Sequence, residues 1–289
     1  MKFSIHQEVL LQPISQVIGV VERRQTLPVL ANFLVSAKDG RLSITGTDME
    51  VELIATVNAD IQTDGEITVP ARKLVDIVRK LPDGSNITAI LEGDKLLISS
   101  GRGRYTLSTL PATEFPATDQ VETLELVKIQ EIELKKLIEK TSFSMANQDV
   151  RYYLNGLLFE FHNGTLTTVA TDGHRLAVCD LNKDIGVAQD RQMIVPRKGV
   201  LELLRMLSDS DDMVELALGK NHIRLVKGSM IFTSKLIDGR FPDYMAVIPK
   251  GTDRHIKIQR GNFMLALQRA SILSNEKYKG VRLEASNNS

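Results

Sequence analysis

The chain repeats itself at a spacing of 124 to 126 residues, and this limits its folding options more than any other feature. Val69-Pro70 with Leu74, Ile77, Val78 and Leu81 returns 126 residues later as Val195-Pro196 with Val200, Leu203, Leu204 and Leu207. Both sets follow the i, i+3, i+4, i+7 pattern of an amphipathic helix, and proline suits a first helical turn because its missing N–H leaves no bond unmade. Thr47-Asp48 returns as Thr171-Asp172, Phe115-Pro116 as Phe241-Pro242, and Leu10 and Ile14 as Leu134 and Ile138. A run of matches at nearly constant offset reads as a duplication.

Each copy reads as helix, strands, helix, strands. Met49, Val51, Leu53, Ala55 and Val57 alternate with mostly polar or small residues, which is the period of a half-buried strand. Stretches 41–45, 95–99 and 104–110 read similarly in the first copy, and 157–161, 166–171, 213–218, 222–226 and 230–236 in the second. Tight turns at Asp39-Gly40, Glu92-Gly93-Asp94, His162-Asn163-Gly164 and Gly219-Lys220-Asn221 predict mostly antiparallel sheet. The expected class is α+β, in tandem repeats with two helices packed on antiparallel sheet in each. The predicted domains are 1–124 and 125–250. A third beginning follows over 251–289, with Ile256-Lys257-Ile258, a helix from Phe263 to Leu273, and Gly280 standing 124 residues after Gly156. Two copies and part of a third predict a fragment or shortened member of a three-repeat architecture.

Length alone, 289 residues, suggests about two domains. A single Cys179 allows no internal disulfide, and the start has no signal-peptide run, so a cytoplasmic location is expected. With 36 basic and 36 acidic residues, an even spread of charge argues against a nucleic-acid partner. The repeated helix orders its charge, however. Arg72 and Arg79 lie opposite its apolar stripe, Lys198 and Arg205 take the same places in the second copy, and Arg23 and Arg24 follow the first helix. Equivalent helices would present a shared basic track to phosphates. The absence of Trp and the 5% aromatic content leave no dense stacking platform, so contact would run along a duplex backbone and ignore its sequence. Tyr152 and Tyr153, with Gln148 and Arg151 before them, are candidates to add groove contacts, although one Tyr could equally be core.

No chemistry is legible. Phosphate-loop and nucleophile-elbow motifs are missing, the five histidines lack metal-ligand spacing, and one cysteine cannot build a thiolate zinc cluster. Asp172 and His174 look like an acid–base pair, but Asp48 repeats the Asp without the His, which favours a turn or capping role. His174, Arg175 and Leu176 break the repeat symmetry, and this suits a binding site used in one domain. No catalytic residue, metal or cofactor is expected.

The second copy carries Gln148-Asp149-Val150-Arg151-Tyr152-Tyr153-Leu154-Asn155-Gly156, then Val169-Ala170-Thr171-Asp172-Gly173-His174-Arg175-Leu176 and Ile194-Val195-Pro196-Arg197-Lys198-Gly199. Phe232-Thr233-Ser234-Lys235-Leu236, Asp238-Gly239-Arg240-Phe241-Pro242-Asp243-Tyr244 and Ile272-Leu273-Ser274-Asn275-Glu276-Lys277 follow. Together they resemble the bacterial DNA polymerase III beta subunit, the replicative sliding clamp. The resemblance implies a head-to-tail homodimeric ring of DNA-clamp domains around duplex DNA, tethering the replicative polymerase, the clamp loader and other clamp-binding-motif proteins. It implies DNA-facing positions at Arg24, Arg72, Gln148, Tyr152 and Tyr153, to which the helix reading adds Lys198. The implied partner-peptide pocket holds Leu154, Thr171, Gly173, His174, Arg175, Leu176, Pro242 and Val247. The implied ring interface sets Tyr105 and Leu107 against Ile272 and Leu273. An incomplete third copy would leave this chain unable to close a ring, and the alternative is a peptide-binding module that does not encircle DNA.

Overall fold

The computed structural model describes residues 1–22, 27–116, 122–251, 255–275 and 280–284. Two compact units result, 1–242 and 243–289.

In the first unit the chain begins with β1 (Lys2–His6), α1 (Gln7–Val17), β2 (Asn32–Lys38), β3 (Arg41–Thr47), β4 (Val51–Asn58), β5 (Asp60–Thr63), β6 (Gly65–Pro70) and α2 (Ala71–Lys80). β7 (Asn86–Glu92), β8 (Lys95–Ser100), β9 (Gly103–Ser108) and β10 (Leu110–Pro111) follow. The second copy runs β11 (Thr123–Gln130), α3 (Glu131–Thr141), β12 (Gly156–His162), β13 (Thr165–Thr171), β14 (Leu176–Asp180), β15 (Arg191–Pro196), α4 (Arg197–Met206), β16 (Met213–Gly219), β17 (His222–Lys227) and β18 (Met230–Lys235). Apart from β5 and β10, each strand and helix of the first copy has a counterpart in the second.

The sheets show what the duplication builds. One half of the first copy is the run β1-β7-β8-β9, and the matching half of the second is β11-β16-β17-β18. The other halves are β6-β2-β3-β4 and β15-β12-β13-β14. The copies join where β4 pairs antiparallel with β18, merging two half-sheets into a nine-stranded sheet. Leu53 stands opposite Phe232 and Val51 opposite Ser234, and all three large side chains are buried. Lys235 N–H also donates to the Glu50 carbonyl at 2.8 Å, extending the seam by one bond.

Helices α1 and α2 bury Leu10, Ile14, Val17, Leu74, Val75 and Val78 in a core that continues through Leu134, Ile138, Val200 and Leu203 of the second copy. Pro70 and Pro196 stand one place earlier than expected, closing a strand and occupying the N-cap of α2 and α4. The strand expected to start at Met49 starts at Val51, because Met49 sits in the preceding turn with φ of 76°.

In the second unit, a short 3-10 helix (Tyr244–Val247) precedes α5 (Arg260–Ser271), which matches the helix expected there. Neither 256–258 nor 280–283 is a strand. In both copies the first strand bonds to a strand that follows the second helix, as β1 does to β7 and β11 to β16. No such strand follows α5 among the described residues.

The two copies stabilise the start of their first helix differently. Buried Gln7 donates to the Val78 carbonyl at 3.1 Å. Its counterpart Glu131, equally buried, accepts from Lys227 and from the backbone and hydroxyl of Ser208. Burial alone would raise the Glu131 pKa, but the bonds from Lys227 and Ser208 outweigh it and hold the carboxyl below its ordinary value. A depressed folded pKa contributes stability above the unfolded pKa and loses it as pH falls through the folded value. Glu131→Gln should therefore cost about 3 kcal/mol at neutral pH, by leaving Lys227 without its carboxylate. Urea unfolding at successively lower pH should show that difference shrinking.

Candidate functional site

Thr47-Asp48 and Thr171-Asp172 end β3 and β13 in the same turn. Thr47 Oγ1 donates to the Val51 carbonyl and accepts from Met49 N–H, while Asp48 Oδ1 accepts from Glu50 and Val51 N–H. Thr171 Oγ1 likewise donates to the Arg175 carbonyl and accepts from Gly173 N–H, with Asp172 Oδ1 accepting from His174 and Arg175 N–H. The third residue takes positive φ in both, 76° at Met49 and 86° at Gly173. The Asp is thus a turn former, as its repetition suggested. Burial works to raise the Asp172 pKa, but the His174 and Arg175 bonds prevail and lower it, which suits a fixed anion rather than a base at neutral pH.

The two turns differ in their second carboxylate oxygen. Asp172 Oδ2 pairs with Arg175 of its own turn at 3.2 Å, leaving His174 and Arg175 exposed. Asp48 Oδ2 instead receives Lys198 from α4 of the other copy. Lys198 Nζ also donates to Glu22 at 2.8 Å and to the Val20 carbonyl at 3.1 Å. An ammonium has three protons, so these acceptors use all of them. Burial disfavours the charge, but the bonds to Asp48 and Glu22 more than offset it and raise the Lys198 pKa. The phosphate contact expected of Lys198 does not fit this geometry: the side chain ties α4 to the chain following α1.

Two other members of the expected basic track also make contacts within the fold. Arg72 is exposed but donates to the Val21 carbonyl at 3.1 Å, and Arg205 Nη1 donates to both Glu202 carboxylate oxygens, at 3.1 and 3.2 Å. Burial of Glu202 raises its pKa despite Arg205. Arg24 lies outside the described residues.

Gln148, Tyr152 and Tyr153 do come together, on the loop before β12. Gln148 is exposed with φ of 58°, and Tyr152 is 56% exposed. Tyr153 is half-buried and meets the Tyr152 ring edge-on at 5.7 Å between centroids, so neither ring is fully buried core. The loop closes on itself through Asn155, whose amide accepts from Asp149 N–H and donates to the Asp149 carbonyl.

The same loop approaches the Thr171–Arg175 turn. Arg151 forks onto Asp149 at 3.0 and 2.8 Å and donates to the Asp172 carbonyl at 3.2 Å. On the turn's other side, Arg175 donates to the Phe143 carbonyl and stacks over the Phe143 ring at 5.5 Å. Asp149 and Phe143 were not foreseen beside the site, and Arg151, expected near the tyrosines, was not foreseen as a link to the turn; the one available signal was the Asp-x-Arg spacing.

Of the other pocket candidates, Leu154 is buried, Thr171 and Leu176 are half-buried, and Pro242 is exposed. Val247 is 68% exposed in the second unit. On the candidate interface, β9 carries exposed Tyr105 and buried Leu107, while Ile272 and Leu273 after α5 are 76% and 94% exposed. No cluster of three or more His, Cys, Asp or Glu suited to a metal occurs among the described residues, and no helix there is long and apolar enough to cross a membrane.

A duplicated α+β unit, joined sheet to sheet and bearing an exposed turn and tyrosine loop in one copy only, defines the class of tandem DNA-clamp domains. Residues 1–119 match the family model for the DNA polymerase III beta subunit N-terminal domain, and residues 128–243 that for its central domain. The beta sliding clamp of Pseudomonas aeruginosa is 52% identical over 99% of this chain and 78% of its own length; that of Escherichia coli K12 is 51% identical over 100% and 79%. A P. aeruginosa clamp structure bound to griselimycin superposes with a TM-score of 0.95 at 52% identity, covering 99% of this chain and 78% of the other. A Caulobacter crescentus pol III beta structure gives 0.90 at 39% identity over 96% and 76%. The chain belongs to the DNA polymerase III beta subunit family, the beta sliding clamps of DNA replication, and its role is to clamp rather than to catalyse.

Lys198→Met separates the two roles considered for that residue. The expected outcome is a loss of about 2 kcal/mol in denaturant unfolding, because Asp48 and Glu22 lose their cation, with duplex affinity unchanged in a fluorescence anisotropy titration.

Proposed function

We propose that this clamp grips duplex DNA through the phosphate backbone and tethers the polymerase, the clamp loader and other motif-bearing proteins at the turn following β13. The observation that carries the reading is the β4–β18 seam. It shows that one copy's outer strand is built to continue the sheet of the next. β9 holds the same place in the first copy as β18 does in the second, and β14 the same place as β4. Both are sheet edges among the described residues, each open to a strand of a further copy. Head-to-tail association needs such a pair of unlike edges.

On this reading the domains are 1–124, 125–250 and 251–289. Duplex contacts fall to Gln148, Tyr152, Tyr153, Arg72 and Arg24. The peptide pocket combines Leu154, Thr171, Gly173, His174, Arg175, Leu176, Pro242 and Val247. A homodimer would set Tyr105 and Leu107 of one copy against Ile272 and Leu273 of another, and the setting is the cytoplasm. Exposed apolar side chains at Ile272 and Leu273 support an interface there. Half-buried Leu176 beside exposed His174 supports a pocket that is apolar with a polar rim.

Griselimycin, which a P. aeruginosa relative is seen to bind, is the ligand to test against that pocket. His174→Ala and Leu176→Ala should each weaken its binding about tenfold by calorimetry, the loss of roughly 1.4 kcal/mol of contact, with unfolding midpoints little changed. Unaltered affinity in both would remove the pocket assignment.

A further inference from the structure

The loop bearing the duplex candidates and the turn bearing the pocket candidates are hydrogen-bonded to one another, and one side chain makes the link. Arg151 lies between Gln148 and Tyr152, and its guanidinium holds Asp149 by two parallel bonds and the Asp172 carbonyl by a third. Asp149 is itself fixed by the Asn155 amide, so Arg151 projects from a closed loop rather than a free strand of chain. The bond from Arg151 holds the Asp149 carboxyl down at about 2, so the pair stays charged under any working condition. A Cβ on Gly173 would stand 2.9 Å from Arg151 Nη1, so the glycine also gives the guanidinium its close approach to the turn. From Asp172 the chain of contacts continues to His174 and Arg175 N–H, and through Arg175 to Phe143.

We propose that Arg151 is a positioning residue that couples the two ligand surfaces, so that duplex held at the Gln148–Tyr153 loop tightens the grip of the Thr171–Arg175 turn on its peptide. This rests on the assignment of both surfaces made above. A duplex that orders the loop orders the turn through Arg151, and a pocket ligand then loses less conformational freedom on binding. Coupling of this kind is reciprocal, so a pocket ligand tightens duplex binding by the same factor. Lysine cannot replace Arg151, since a single ammonium cannot span a carboxylate fork and a carbonyl with the same geometry. The device also gives the clamp a way to favour partners when DNA is present.

The test is a griselimycin titration of the whole chain with and without a saturating short duplex of mixed sequence, repeated for Arg151→Lys. The unmodified chain should bind griselimycin about fivefold more tightly with duplex present, at the lower end of typical coupling. In Arg151→Lys the ratio should fall to near one while each ligand still binds alone and the unfolding midpoint holds, since exposed ion pairs add little stability. A ratio of one in the unmodified chain, with both ligands shown to bind separately, overturns the proposal and leaves the two sites standing. An undiminished ratio in Arg151→Lys overturns the role of Arg151. Failure of either ligand to bind the unmodified chain refutes the site assignment itself, and the coupling with it.

Discussion

Everything in the first unit depends on the antiparallel seam between β4 and β18. A half-sheet ending in an exposed strand presents unpaired N–H and C=O groups and invites another strand. Here the duplication supplies that strand from the next copy, and Leu53 and Phe232 bury the seam in the common core. The Lys198 contacts add a second fastening on the helical side, where α4 reaches the segment after α1. Gly19 belongs to this contact: a Cβ there would meet the Glu202 carboxylate and the Arg205 guanidinium at little more than 2 Å. One set of residues thus closes the joint on the sheet and another on the helices.

The paired Thr-Asp turns show how a duplicated unit acquires a site. Both copies keep the same backbone bonds, because a strand end needs them whatever else happens nearby. In the first copy the spare carboxylate oxygen is directed into the joint, and the left-handed third residue is Met49. In the second copy that residue is Gly173, the oxygen turns to Arg175, and His174 and Arg175 stay in solvent. A structural turn became a presenting turn through the residues around an unchanged Thr and Asp.

The sequence disclosed the repeat, the helix faces and the break in symmetry at His174, because periodicity and offset are properties of the chain read in order. It also correctly made Asp48 and Asp172 turn formers. The fate of Lys198 was hidden, since a helical wheel shows which face a residue is on but not that Glu22 and Asp48 wait there from the other copy. The same limit explains how zero net charge coexists with a basic helix pattern: Glu22, Asp48 and Glu202 meet Lys198 and Arg205 directly. The link that Arg151 makes to the turn was hidden for a different reason. Its partners lie in a loop turned by positive φ at Gln148 and a turn at Gly173, and side-chain spacing does not predict such geometry. Ile256-Lys257-Ile258, which opens the third beginning, forms no strand, since a strand is defined by its neighbour and not by alternation alone.

The central claim is that this clamp holds duplex DNA by its backbone and does not read bases. The most direct measurement is duplex affinity across a range of salt concentrations, for two unrelated sequences of equal length. The account predicts affinity falling linearly with salt on logarithmic axes, with the two sequences superimposed. Affinity that ignores salt, or that separates the two sequences, would contradict it.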